Sequence, residues 1–126
     1  MNRRELVRRL VLDSICNDYE NVDQIILREV AEQGIKCGLT IERSEVVEAL
    51  AGLIGDGLAT AHDLSVRPPL SQVFQGVSPL DVVAEDCRIY FYITRKGRDF
   101  QASDETWWPF DEEGNLRQNW RLDLAQ

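Results

Sequence analysis

The 126 residues include 14 lysines and arginines against 22 acidic residues, which gives a formal net charge of −8 at pH 7. This balance argues against a uniformly basic nucleic-acid-binding surface. Hydrophobic residues make up 44% and charged residues 29%, so we expect a folded chain and exclude wholesale disorder. No apolar run approaches the roughly 18 residues of a membrane span, and Arg8 and Arg9 interrupt the apolar residues near the N-terminus, unlike a signal peptide. We therefore expect a cytoplasmic protein that does not contact membranes.

The first half of the chain predicts helices separated by short turns. Residues 3–16 carry apolar side chains every three to four positions, which indicates an amphipathic helix. Asn21 is a good N-cap for a second helix over residues 22–33. Gly34 then stands where a left-handed C-cap would end that helix. Residues 35–41 are short and apolar, and we predict a brief edge strand there.

A third helix is predicted to begin near Ser44, with Thr40 as the alternative cap, and to end at Asp56 and Gly57. Its apolar residues form one side: Val46, Val47, Leu50, Leu53 and Ile54. Residues 58–61 follow as the start of a strand.

The strongest strand signal is the β-branched and aromatic run Ile89–Ile93. Thr94 is predicted to cap a last short helix, Arg95–Gln101. The long connection between the two predicted strands contains a short helix start at residues 78–81.

The C-terminal residues 103–126 are acidic and rich in aromatic side chains. We predict an aromatic hairpin around a glycine turn, formed by Trp107, Trp108, Phe110 and the segment that reaches Trp120. The chain thus divides into a domain over residues 1–102 and an extension over residues 103–126, which packs on the domain or on a partner.

Two stretches carry a family resemblance. They are SEVVEALAGLIGDGL at residues 44–58 and ITRKGR at residues 93–98. The first resembles the recognition helix and its exit in MarR- and PadR-like transcriptional regulators, and the second resembles the end of the wing in the same proteins. The resemblance implies an α+β winged helix-turn-helix fold, with a three-helix core, a β-hairpin wing and a long wing loop. It also implies that the third helix enters the major groove of DNA.

The outward face of the third helix lacks the side chains that read bases best. Helical geometry places Ser44, Glu45, Glu48, Ala51, Gly52 and Gly55 on that face. None of them is Arg, Lys, Asn or Gln. The candidate nucleic-acid contacts are Arg43, Ser44, Glu48, Arg67 and Arg88, the last two at the ends of the wing loop.

The same helix carries a smooth surface of small residues, formed by Ala51, Gly52 and Gly55. Another element can approach such a surface closely, and we hypothesise that the aromatic extension covers it. The candidate interaction residues are these three together with Trp107, Trp108, Phe110 and Trp120.

No constellation for catalysis, metal or cofactor binding is recognisable in the sequence. His62 lacks a nucleophile in a suitable context. Cys16, Cys37 and Cys87 lie at scattered spacings without a Cys-x-x-Cys pair, which predicts free thiols. We therefore expect neither an enzyme nor a metalloprotein, and no small-molecule substrate is evident.

The sequence supports two functions about equally. The resemblance favours a DNA-binding regulator, whereas the acidic helix face favours a module for protein–protein interaction. The partner is accordingly duplex DNA or another protein, and a homodimer would suit either. For the fold, we predict that one core unites Val46, Leu50, Leu53, Leu58, Phe91 and Ile93 with Leu10 and Ile26.

Overall fold

Five helices and one antiparallel two-stranded sheet make up the described part of this α+β chain. The structure is a computed structural model. It describes residues 2–63, 83 and 89–124, and the side chains of residues 122–124 are not part of this description. The helices are α1 (Arg3–Ser14), α2 (Leu27–Lys36, preceded by a π-helical turn, Val22–Ile26), α3 (Arg43–Gly55), α4 (Arg95–Gln101) and α5 (Gln118–Leu124). The strands are β1 (Ala59–Asp63) and β2 (Ile89–Ile93).

The second helix begins as predicted but ends later. The Asn21 side chain accepts a hydrogen bond from the backbone N–H of Gln24 at 2.8 Å, which confirms the cap. The helix continues to Lys36, so Gly34 lies inside it and is not a C-cap. The left-handed residue is Gly38, with φ of 77°. Gly34 instead allows close packing, because a Cβ there would lie 2.6 Å from Cδ1 of Ile41.

The predicted edge strand at residues 35–41 is also wrong. Its first two residues belong to α2, and a turn follows them. The extended residue beside the sheet lies earlier, between α1 and α2. Glu20 exchanges two backbone hydrogen bonds with Phe91, at 3.0 and 2.8 Å. The outer edge of β2 is therefore paired by the chain that leaves α1.

Helix α3 begins at an N-cap that differs from both predicted residues. Its N-cap is Glu42, not Ser44 or Thr40, and the Glu45 carboxylate accepts a hydrogen bond from the Glu42 N–H at 2.8 Å. At the other end Gly57 adopts φ of 77°, and the Leu58 N–H donates to the Leu53 carbonyl at 2.8 Å. This is a Schellman ending, and it confirms the predicted stop at Asp56 and Gly57.

The sheet is a hairpin in which Ala61 lies opposite Phe91. Strand β2 has the predicted bounds, while β1 extends to Asp63, two residues beyond the prediction. The Thr94 hydroxyl caps α4 by accepting from the Gly97 N–H at 3.0 Å. A Cβ on Gly97 would clash with the carbonyl oxygen of Leu58, so glycine is what lets α4 lie against the start of β1.

A single buried cluster contains all eight predicted core residues. Leu50 is fully buried, and Ile89–Ile93 is a strand. These observations confirm the predicted core. Trp107, Phe110 and Trp120 of the extension belong to the same cluster.

The extension turns around Gly114, whose φ is 85°. An isolated antiparallel bridge joins Phe110 to Leu116, as in the predicted hairpin. The returning arm then becomes helical, since α5 includes Trp120. The predicted helix start at residues 78–81 lies outside the described residues. Val83, described within the long connection, is 1% exposed and joins the core.

Candidate interaction surfaces

Three of the candidate nucleic-acid contacts lie together at the start of α3. Arg43, Ser44 and Glu48 are all exposed, whereas Arg67 and Arg88 lie outside the described residues. The guanidinium of Arg43 is engaged by Asp23, with Nε to Oδ1 at 2.8 Å and Nη2 to Oδ2 at 3.3 Å. This hydrogen bonding lowers the pKa of Asp23. A phosphate that approached Arg43 would have to compete with a carboxylate already in place.

Two arginines of α1, Arg3 and Arg8, are likewise held by acids of α3 or its C-cap. Arg3 Nε donates to Glu45 Oε1 at 2.7 Å, and this bond lowers the pKa of Glu45. Arg8 Nη2 donates to Asp56 Oδ2 at 2.8 Å. These pairs stabilise the fold little, because they are partly exposed to water. Their consequence is electrostatic, since each places a carboxylate beside a cation that would otherwise attract phosphate.

Acidic groups therefore dominate the exposed face of α3, which we define as Glu42, Ser44, Glu48, Ala51 and Gly55. Glu42 and Glu48 are exposed. Within the described part of the chain, Glu48 forms neither an ion pair nor a hydrogen bond. The face offers carboxylates and small side chains and presents no unpaired cation of its own.

The described residues of the extension do not cover Gly52 or Gly55. A Cβ on Gly55 would meet no atom within 4 Å, so that position is open. A Cβ on Gly52 would lie 2.7 Å from Nη1 of Arg8, which shows that an arginine of α1 covers this glycine. The hypothesis that the extension occludes Ala51, Gly52 and Gly55 is therefore wrong. Helix α3 keeps its exposed face.

Replacing Gly52 by alanine should displace only the tip of the Arg8 side chain. We expect unchanged tryptophan emission and a small change in the free energy of unfolding, because the helix gains about 0.5–1 kcal/mol while an ion pair of about 0–1 kcal/mol is disturbed. Gly55→Ala is the matched control without the Arg8 contact. Denaturation followed by tryptophan fluorescence measures both, and a red shift confined to Gly52→Ala would contradict the observed packing.

The extension docks on α1 through Arg9. The Arg9 guanidinium carbon lies 5.6, 5.4 and 5.2 Å from the ring centroids of Phe100, Trp107 and Trp120, respectively. Its Nη1 donates to the Trp107 carbonyl at 2.8 Å. Arg9 interrupts the apolar residues near the N-terminus of the sequence, but its side chain is only 15% exposed in the structure. Cation–π contacts and a charged hydrogen bond explain how an arginine is accommodated there.

The four aromatic candidates of the extension are not equally accessible. Trp107, Phe110 and Trp120 are 5%, 3% and 0% exposed, respectively, whereas Trp108 is half-buried. The indole N–H groups of Trp107 and Trp120 are buried and have no hydrogen-bond partner among the described residues. Three of the four rings are thus buried in the core of their own chain, and Trp108 alone among them keeps part of its surface exposed.

The described side chains considered for catalysis or metal binding are His62, Cys16 and Cys37, and they are buried or half-buried within the fold. His62 is 9% exposed, its Nε2 lies 2.7 Å from the Thr60 hydroxyl, and burial lowers its pKa. Cys16 and Cys37 are half-buried free thiols whose pKa is raised, first by burial. Cys87 lies outside the described residues. The described residues contain no group of three potential metal ligands and no helix able to span a membrane.

A groove of about 290 Å³ lies between α1 and α3, beside the exposed face of α3. We call it the α1–α3 groove, and it is lined by Arg3, Arg4, Val7, Glu45, Glu48 and Ala49. The salt bridge from Arg3 to Glu45 joins its two walls. The sequence did not single out this groove, because its walls come from segments about 40 residues apart.

No protein-family model, curated protein or solved structure matches this chain.

Proposed function

We propose that the chain is a winged-helix module that binds a protein partner through the acidic exposed face of α3. The scaffold supports this proposal, because three helices pack with a β-hairpin and α3 leads directly into the first strand. The observation that carries the proposal is the pairing of three of the nearby arginines. Asp23, Glu45 and Asp56 engage Arg43, Arg3 and Arg8, respectively.

Electrostatics favours a basic partner over a duplex. B-DNA carries one negative charge per about 1.7 Å of helix axis, and binding needs cations that replace its counterions. Glu42 and Glu48 would repel such a backbone. The same carboxylates attract lysine or arginine side chains of a protein, and the small residues Ala51 and Gly55 allow close approach. We infer a partner that presents basic side chains around a short apolar stretch.

The first test measures binding to duplex DNA. We expect no change in the fluorescence anisotropy of a labelled mixed-sequence duplex at about 50 mM salt, where non-specific binding is strongest. The proposal would be contradicted if the chain bound the duplex and if Arg67→Ala or Arg88→Ala weakened this binding equally across sequences. The slope of the salt dependence would then be reduced by roughly one unit. That result would identify the chain as a DNA-binding regulator with its contacts on the wing loop.

The second test uses an amphipathic lysine–leucine peptide as a cationic probe. Replacing Glu42 and Glu48 together by glutamine should weaken its binding about two- to thirtyfold, because each exposed ion pair contributes about 0.2–1 kcal/mol. The matched control replaces Glu112 and Glu113, two exposed acids on the turn of the extension. Both double variants change the net charge equally. Equal weakening by the two would show that the probe senses only total charge, and the α3 face would lose its role.

A further inference from the structure

The two walls of the α1–α3 groove carry opposite charges. Helix α1 contributes Arg3 and Arg4, and α3 contributes Glu45 and Glu48. Arg3 and Glu45 neutralise each other through a direct contact of 2.7 Å. Arg4 and Glu48 are exposed and form no ion pair with each other or with any other described residue. The groove therefore retains one unpaired guanidinium and one unpaired carboxylate on facing helices.

Apolar side chains line the groove between these charges. Val7 and Ala49 are 2% and 6% exposed, respectively, and both contribute to the lining. The groove volume of about 290 Å³ lies at the lower end of the range of ligand pockets. A ligand that fits is therefore smaller than a typical drug molecule, and it places an apolar group against Val7 and Ala49 and two oppositely charged groups toward the two walls.

We propose that the α1–α3 groove binds a free α-amino acid with an apolar side chain. The fork of Arg4 matches a carboxylate, because a guanidinium donates two parallel hydrogen bonds to its oxygens. Glu48 accepts from the ammonium group. The apolar side chain of the ligand lies against Val7 and Ala49, where it leaves water.

A small ion with charge of one sign would pair with only one wall of the groove. A phosphate would be attracted by Arg4 and repelled by Glu48, and a polyamine would meet the reverse situation. A zwitterion pairs both groups and adds no net charge to the groove. This site shares Glu48 with the proposed contact with a protein partner, but that contact also uses Glu42, a residue outside the groove lining.

The experiment titrates the full chain with L-leucine and follows the methyl NMR signals of Val7 and Ala49. Two analogues separate the polar ends of the ligand, because L-leucinamide lacks the carboxylate and N-acetyl-L-leucine lacks the ammonium group. Each analogue should bind about tenfold more weakly or worse, the loss expected when one charged hydrogen-bonded contact is removed.

Matched variants assign each end of the ligand to its residue. Arg4→Gln should weaken leucine binding about tenfold and leave leucinamide binding unchanged, since that analogue makes no contact with Arg4. Glu48→Gln should weaken leucine binding similarly and leave N-acetyl-leucine binding unchanged. Arg28→Gln and Glu42→Gln are the controls, because both residues are exposed outside the groove. Thermal unfolding checks that all four variants remain folded.

Two results would overturn this inference. One is the absence of methyl shifts at Val7 and Ala49 up to about 20 mM leucine, a concentration that would reveal even millimolar affinity. The other is leucine binding that neither Arg4→Gln nor Glu48→Gln alters. Glu42→Gln distinguishes the two proposals, because it should weaken binding of the cationic peptide and leave leucine binding unchanged.

Discussion

Replacing Trp120 by alanine should lower the free energy of unfolding by about 3–5 kcal/mol, the range for truncating a buried aromatic ring. The Trp120 ring is fully buried and has the shortest distance, 5.2 Å, of the three cation–π contacts made by Arg9. Its removal leaves a cavity beside a guanidinium that is only 15% exposed. Denaturant unfolding followed by circular dichroism measures the loss without relying on the deleted fluorophore.

Trp108→Ala provides the matched control for Trp120. It removes the same side chain from the same extension, but Trp108 is half-buried and contacts Phe110 at the edge of the core, with ring centroids 5.6 Å apart. We expect a clearly smaller loss, because less apolar surface returns to water. Equal losses for the two variants, or a negligible loss for Trp120→Ala, would show that the extension does not contribute to the core as described.

Leu50→Ala should lower the free energy of unfolding by about 2–5 kcal/mol, through lost burial and the cavity left behind. Leu50 is fully buried in α3, within the cluster that joins this helix to α1 and to the hairpin. Urea unfolding curves with an unchanged slope would assign the loss to the native state.

Ile35→Ala is the control for Leu50, because it also shortens an aliphatic side chain in a helix. Ile35 is 72% exposed near the end of α2. Its replacement should change the free energy of unfolding by no more than about 0.5 kcal/mol, as is usual for surface positions. A loss at Leu50 no larger than the change at Ile35 would be incompatible with the position of α3 in the core.

The burial of the aromatic rings limits the surface that the extension could offer to a partner. Trp107 and Trp120 form contacts with Arg9 of α1, and Trp107 packs edge-on against Phe100 at a centroid distance of 5.5 Å. Aromatic side chains are frequent at protein interfaces. In this chain most of that aromatic surface is buried internally, which supports our proposal that a partner binds the exposed face of α3.

Local signals in the sequence were sufficient for much of the fold. Asn21 and Thr94 act as helix caps, and Gly57 ends α3 in the left-handed conformation. The alternation of buried and half-buried residues along Ile89–Ile93 likewise follows directly from the residue pattern. These features depend on hydrogen bonds and steric limits within a few residues, so they could be predicted without the tertiary structure.

The electrostatics of the candidate site depended on the tertiary structure. Arg43 meets Asp23 and Arg3 meets Glu45 across 20 and 42 residues of sequence, respectively. Their pairing neutralises two arginines that appear free in the sequence, and the exposed carboxylates of Glu42 and Glu48 then leave the surface acidic. The role of Gly34 was decided in the same way, since Ile41 packs against it and Gly38 makes the turn. Composition counts charges and glycines, but only packing determines which groups approach each other, because each contact depends on segments that are distant in the chain.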